Sequence, residues 1–268
     1  MGIDRTRRVT FEEVADLYNE TRTGYPDELV NDIFYFSAME PDGRILEVGC
    51  RPGNATVSFA RKRNPILGIE LGEQLAQFAR ENCKRYPNVI IVQSAFEEYA
   101  LFPHSFDLAI SADAFHWIPP ETGYPKIMQA LKETGSIALF WHVPIDPQTD
   151  WSKAIDDVFT KYAPDFNNPH HAFDLKWLVE IIKGNYREYC GIENVTVKTY
   201  DWVENTSADT FIKLLRTYSS HREMNEELRQ SLYANIRKVI NDFGGSVEKP
   251  YQVALFHAKV SESKTVLK

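Results

Sequence analysis

The stretch Ile45-Leu46-Glu47-Val48-Gly49-Cys50-Arg51-Pro52-Gly53-Asn54-Ala55-Thr56 constrains this chain more than any other. A short apolar run stops at a glycine turn, and a helical pattern follows at once. A buried strand that feeds a helix through glycines opens a sheet in which strands and helices alternate. Ligands in such sheets bind at the carboxyl ends of the strands, near the point where strand order reverses. Glycine in the turn lets backbone N–H groups come close to a ligand. The next apolar run, 65–70, ends in Glu70. An acid at that place can take both hydroxyls of a ribose. Arg51 stands where G-x-G-x-x-G needs its second glycine, which counts against a dinucleotide oxidoreductase.

The alternation continues. Strand patterns are expected at 44–48, 65–70, 89–93, 106–112 and 136–142, with helical spacing over 57–63, 75–86 and 124–132. Strands separated by helices of this length imply right-handed crossovers and a mostly parallel sheet with helices on both faces. Past Pro144 the pattern changes. Helices are expected at 151–162, 174–189, 207–219 and 224–243, and two more strands at 195–203 and 250–260. The expected fold is therefore a doubly wound α/β sheet of seven strands with an inserted helical cap. Its core comprises 1–145 with 191–204 and 249–260, and the cap 146–190 and 205–248.

The 268 residues suffice for such a core without staples. Lys and Arg number 30 against 38 Asp and Glu, and this acidic balance repels phosphate backbones, so no nucleic-acid partner is expected. The cysteines Cys50, Cys83 and Cys190 lie far apart, as reduced thiols do, which points to a cytoplasmic protein. No apolar run is long enough to span a membrane, and residues 1–10 lack the apolar stretch of a secretory signal. The expectation is a monomer or homodimer with no membrane partner.

Several ordered segments carry a family resemblance. E-V-G-C-R-P-G-N-A-T resembles the first motif of the class I S-adenosylmethionine-dependent methyltransferases, usually E/D-x-G-x-G-x-G. Gly68-Ile69-Glu70-Leu71 is similar to the second motif, and Phe106 to Ser111 to the fourth-strand motif. Ala114-Phe115-His116-Trp117-Ile118 follows as in the type-11 small-molecule group, with the trans-aconitate methyltransferase type as the nearest likeness. Lys132 to Trp141 resembles the fifth-strand motif, with Glu133-Thr134 departing from it. Phe11, Ala15, Tyr18, Arg22, Gly24, Tyr25 and Pro26 are similar to the opening segment of that group. The resemblance covers about residues 11–142 and, more weakly, Leu215 to the last strand. It implies a Rossmann-like fold, S-adenosylmethionine as cofactor and a small-molecule acceptor.

The resemblance also implies roles. Glu47, Gly49 and Gly53 would shape the pocket for the methionine part of the cofactor, and Cys50 would lend its backbone. Glu70 would take the ribose, and Leu71 would pack on the adenine. Ser94, Ala95 and Phe96 would line the adenine edge, although family members often carry Asp where Ser94 stands. Ala112 and Asp113 would face the sulfonium. Arg51 has three readings: turned to solvent, gripping the cofactor carboxylate, or partly blocking the site.

Methyl transfer is an in-line displacement, and a base is needed only where the acceptor atom is protonated. His116 is the candidate catalytic base because histidine titrates near neutrality. Trp117, Tyr18, Arg22, Tyr25, Tyr218 and His221 are the candidate acceptor-binding residues; the alternative for Trp117, Tyr218 and His221 is plain packing, and for Tyr18, Arg22 and Tyr25 a frayed surface helix with one exposed arginine. The pair His170-His171 lacks carboxylate or cysteine partners at metal-ligand spacing, so no metal is expected. Neither G-x-S-x-G nor a P-loop is present. Arg51 and Ser94 leave one alternative open, a methyltransferase fold that binds without catalysing.

Overall fold

The computed structural model describes residues 15–21, 24–166 and 174–262, without the side chains of Tyr18, Ser219 and Glu262. One sheet holds seven strands: β1 (Ile45–Val48), β2 (Ile66–Glu70), β3 (Val89–Gln93), β4 (Phe106–Ala112), β5 (Leu131–Val143), β6 (Thr196–Ser207) and β7 (Ser246–Lys259). Their order is β3-β2-β1-β4-β5-β7-β6. The first five run parallel, and β7 is antiparallel to both β5 and β6. The order reverses between β1 and β4, so a crevice is expected beyond the carboxyl ends of those strands. This is the doubly wound α/β sheet read from the sequence.

Period-two alternation divides the core between two faces. Leu46, Val48, Ala109, Ile137 and Leu139 face one way and pack with α5 (Pro120–Ala130) and α7 (Leu175–Cys190) through Tyr124, Ile127, Ile182 and Tyr186. Ile45, Leu108, Ile110, Ala138 and Phe140 face the other way. They meet α2 (Asp27–Phe36) and α3 (Asn54–Ala60) through Leu29, Ile33 and Phe59. α4 (Glu73–Cys83) sets Ala76 and Ala79 against Cys50 and Ile91. Every position of β1 is buried, as in a strand covered on both faces.

A second cluster of helices stands apart from the sheet. α6 (Asp150–Tyr162), α8 (Ala208–Arg216) and α10 (Glu226–Asp242) share a core that includes Trp151, Phe159, Phe211, Leu215, Leu232 and Ile236. The short α9 (Ser219–Arg222) follows α8. Val247 of β7 belongs to the same core, so the strand ties the helices to the sheet. α1 (Ala15–Thr21) bridges the two parts: Glu20 pairs with Lys213 of α8 at 2.7 Å, and Asn19 accepts from Asn82 of α4 at 2.7 Å.

α7 lies within the segment expected to form the cap, yet it packs on the sheet. The Tyr186 hydroxyl donates to the Phe256 carbonyl at 3.1 Å. α5 starts at Pro120, ahead of the expected start, because proline in a first turn has a helical φ and no N–H to leave unpaired. The β6–β7 ladder runs on to Ser207 opposite Ser246. Its outer end, Glu204-Asn205-Thr206-Ser207, is too polar to read as strand. Among the described residues, no helix is long and apolar enough to cross a membrane. The three cysteines are free and buried.

Candidate active site

A solvent-open cleft of about 530 Å³ lies at the switch point. The loops after β1 to β4 line it with Gly49, Glu70, Leu71, Ser94, Phe96 and Trp117. Ile69, Leu75, Ala114 and Ile118 supply apolar wall, and Arg51 and Glu97 line it beside one carboxylate held by backbone donors.

That carboxylate is Glu70. Its Oε2 accepts from the Arg51 N–H at 2.8 Å, and its Oε1 from the Gly72 N–H at 2.9 Å. Two backbone donors fix the group before anything binds, which lowers the ordering cost of recognition. Ser94 stands beside it, its N–H donating to the Glu70 carbonyl at 2.8 Å and its hydroxyl to the Ala95 carbonyl at 3.0 Å. Phe96 is buried, with the Lys126 ammonium 5.3 Å from its ring centroid.

Gly49 has φ +69, and a Cβ there would stand 2.5 Å from the Ala114 Cβ, so the turn can approach that wall only as glycine. The turn's own donors are engaged. The N–H groups of Gly49 and Cys50 both donate to the Ile69 carbonyl, at 2.8 and 3.2 Å, and Gly53 donates to the Cys50 carbonyl at 2.9 Å. The Cys50 backbone donor expected for a ligand is thus used inside the turn. Its thiol faces the interior against Gly68, where burial raises its pKa well above the ordinary value. Glu47 is fully buried. Neither of its oxygens has a hydrogen-bond partner among the described residues. Burial pushes its carboxyl up to about 8; Thr56 acts against the shift and the Glu70 charge adds to it.

Arg51 adopts φ +54 and lines the cleft. It also lies near enough to His116 to depress that ring's protonation. The reading in which it turns wholly to solvent is excluded. Gly53 packs against Ala79, Ala112 is buried, and Ala95 is not among the cleft's lining residues.

The candidate base His116 is differently placed. The Trp141 indole N–H donates to its Nδ1 at 3.0 Å, so a neutral ring carries its proton on Nε2 and can only donate there. Desolvation of the ring, and then the Arg51 guanidinium, lower its pKa, although the residue as a whole is exposed. This environment favours a neutral donor over a base.

Asp113, expected to face the sulfonium, instead has its carboxylate engaged beyond the strand end. It accepts from the Tyr25 hydroxyl at 2.8 Å and from the His142 N–H at 2.7 Å, and it holds the His142 Nδ1 at 2.6 Å. His142 is the residue that sequence reasoning missed. A signal was available: Asp113 follows β4, His142 nearly ends β5, and neighbouring parallel strands bring their ends together.

His221 is fully buried among the helices. It stacks on Tyr233 at 5.8 Å and meets Phe159 edge-on at 5.7 Å. Tyr218 lies 6.2 Å from it. This is packing inside the helical unit, and neither residue is among those lining the cleft. Tyr18 lies on α1, but its side chain falls outside the described residues, as do Arg22, residues 1–10 and the pair His170-His171. Among the described residues, no cluster of three or more His, Cys, Asp or Glu could hold a metal.

Comparison with known proteins fits this geometry. Residues 45–135 match the family model described as a methyltransferase domain. An uncharacterized methyltransferase of Geobacillus sp. (strain WCH70) is 28% identical over 188 residues, covering 65% of this chain and 86% of the relative. Over four other curated methyltransferases the chain spans 50% to 60% of their length. A structure described as a type II methyltransferase from Anaeromyxobacter dehalogenans superposes with a TM-score of 0.63 at 19% identity, over 89% of this chain and 98% of that one. Phosphoethanolamine N-methyltransferase 2 of Haemonchus contortus superposes with a TM-score of 0.53 at 16% identity, over 97% of this chain and 60% of that one. The fold, the cleft and the matched domain define a class I methyltransferase. The chain is an S-adenosylmethionine-dependent methyltransferase of that class, and S-adenosylmethionine is its cofactor.

Proposed function

We propose that the chain transfers the methyl group of S-adenosylmethionine to a small-molecule acceptor held between the cleft and the helical unit of α6, α8 and α10. The observation that carries this reading is Glu70, a carboxylate fixed by two backbone N–H groups at the end of β2 and lining the cleft. Such a group suits the paired hydroxyls of a ribose. A further feature fits the same ligand: Gly49 lines the cleft in a left-handed turn where a side chain would run into Ala114.

When bound, the cofactor supplies an electrophilic methyl group on a sulfonium. The chain's own residues do the rest. Leu71, Leu75 and Phe96 form the apolar slot for the adenine, with the Ser94 backbone and hydroxyl at its edge. Gly49 and Ala114 set the floor near the methionine part, and Arg51 on the cleft wall suits its carboxylate. Trp117 and Ile118 close the acceptor side and exclude water. The helical unit, linked to the core through α1 and β7, shields the acceptor from solvent and limits its size.

The non-catalytic alternative rests on Arg51 and Ser94. Both line the cleft and leave it open, so nothing favours that alternative.

Calorimetric titration with S-adenosylmethionine and with S-adenosylhomocysteine tests the reading. The wild-type chain should bind both, and Glu70→Ala should weaken both by on the order of 100-fold, the loss of two charge-assisted hydrogen bonds at about 1.5 kcal/mol each. Wild-type affinity in that variant sinks the assignment of Glu70.

A further inference from the structure

We propose that His142, positioned by Asp113 and Tyr25, is the general base of the transfer, and that the acceptor therefore attacks through an atom that carries a proton. Its reacting group is a hydroxyl, amine or thiol, and not a carboxylate. This inference rests on the cleft being the cofactor site.

The geometry is that of an oriented imidazole. Asp113 Oδ2 lies 2.6 Å from His142 Nδ1, and a carboxylate only accepts, so Nδ1 carries the proton. Asp113 Oδ1 accepts from the His142 backbone N–H at 2.7 Å, which locks the carboxylate to the residue it orients. The Tyr25 hydroxyl adds a third donor at 2.8 Å. Fixing Nδ1–H leaves Nε2 as the basic nitrogen, the arrangement by which a carboxylate sets a catalytic histidine's tautomer. Nε2 is buried and has no hydrogen-bond partner among the described residues. Buried nitrogens are nearly always paired, so a donor from outside the chain is the simplest occupant.

Placement agrees. Asp113 immediately precedes Ala114, a cleft wall residue, and His142 immediately follows Trp141, whose indole holds His116 next to Trp117. The dyad thus stands at the ends of β4 and β5, next along the chain to the cleft wall though not itself among its lining residues. Period two puts His142 on the face of Phe140, where the Tyr25 ring packs 5.0 Å from the imidazole and the Trp202 ring 5.7 Å. Asp113 adopts φ +54, a conformation that costs a non-glycine residue energy and that functional sites often retain. The other well-placed histidine, His116, has its Nδ1 lone pair occupied by Trp141.

In the step itself, the acceptor's proton passes to His142 Nε2 while the electron pair of its X–H bond forms the bond to the methyl carbon. The pair of the broken carbon–sulfur bond stays on sulfur. The imidazolium, paired with Asp113, returns its proton to solvent.

Imidazole ¹⁵N NMR on the full chain saturated with S-adenosylhomocysteine reads the tautomer, with His142→Gln assigning the resonances. We expect Nδ1 protonated and Nε2 bare in the neutral ring, and Asp113→Asn should abolish that preference while cofactor-product affinity holds in both variants. Tritiated S-adenosylmethionine with 4-methylphenol, a phenol that keeps its proton at neutral pH, and with 4-nitrobenzoate then tests acceptor class. Transfer to the phenol that drops about 10²–10⁴-fold in His142→Gln supports the proposal. Transfer to the benzoate that survives His142→Gln overturns it. Should neither probe react, the tautomer decides, and a protonated Nε2 with a bare Nδ1 overturns it. No binding of S-adenosylhomocysteine by the folded wild type overturns the reading of the cleft and this inference with it. Binding with the wrong tautomer overturns this inference alone.

Discussion

Histidines in this chain show how one residue type takes different roles from its surroundings. His142 is oriented by a carboxylate, His116 accepts from an indole, and His221 is sealed among rings with both nitrogens unpartnered among the described residues. Burial, and then Arg229, push the His221 pKa down to about 4. In the unfolded chain a histidine titrates near about 6.5. Between those values the unfolded state binds more protons, so stability is full above pH ~6.5 and drains as pH falls toward 4. Glu47 works in the opposite sense, since its raised pKa makes stability fall as pH rises toward about 8. A variant compared with wild type separates the two. His221→Phe keeps the stack on Tyr233 and removes the titration. Urea unfolding at pH 7.5 and at pH 5 should show the variant losing about 2 kcal/mol less than wild type over that interval. Equal losses would mean that His221 is hydrated in solution.

Elements were legible in proportion to how locally their cause is written. β1, β2 and β4 are buried at nearly every position, so they read as short, mostly apolar runs. α2 is not among the expected helices, although Leu29, Val30 and Ile33 form an inward stripe, because it is short and follows at once on the Gly24-Tyr25-Pro26 turn. The outer half of the β6–β7 ladder is held by pairing rather than by composition. The same contrast runs through the site. Glu70 ends an apolar strand, and its place is visible from sequence alone. His142 acquires its role only when β4 and β5 pair and bring Asp113 beside it. α7 is a similar case: its periodicity predicted a helix, while its placement on the sheet depends on Tyr186 reaching the Phe256 carbonyl. Tyr186→Phe removes that donor from a fully buried site. It should cost about 1–2 kcal/mol in urea unfolding, with the extent of surface exposed unchanged. No loss would mean that α7 is held by apolar contact alone.

At the scale of the whole molecule, the question is whether the helical unit unfolds with the sheet or by itself. Its core is separate, but the connections are strong. β7 starts within it at Val247 and ends deep in the sheet, paired with β5 from Gln252 to Lys259. β6 lies against β7 over the same length, and α1 pins α8 to α4. Breaking the helical core therefore frees one end of a strand that the sheet needs, which argues for a single cooperative transition. Ile236→Ala tests this from the side remote from the cleft. Ile236 is fully buried in the helical core, and its truncation should cost about 2–5 kcal/mol. Trp141 reports on the sheet and Trp151 on the helices, and a single-tryptophan version of each keeps the signals apart. Both probes should move to lower urea together, and saturating S-adenosylhomocysteine should restore both, by about 2.7 kcal/mol at 100 times its Kd. If Trp151 moves alone, the helices form a unit that opens without the sheet. Shielding of the acceptor would then be an equilibrium between open and closed forms, and the same variant should weaken acceptor retention while leaving product affinity untouched.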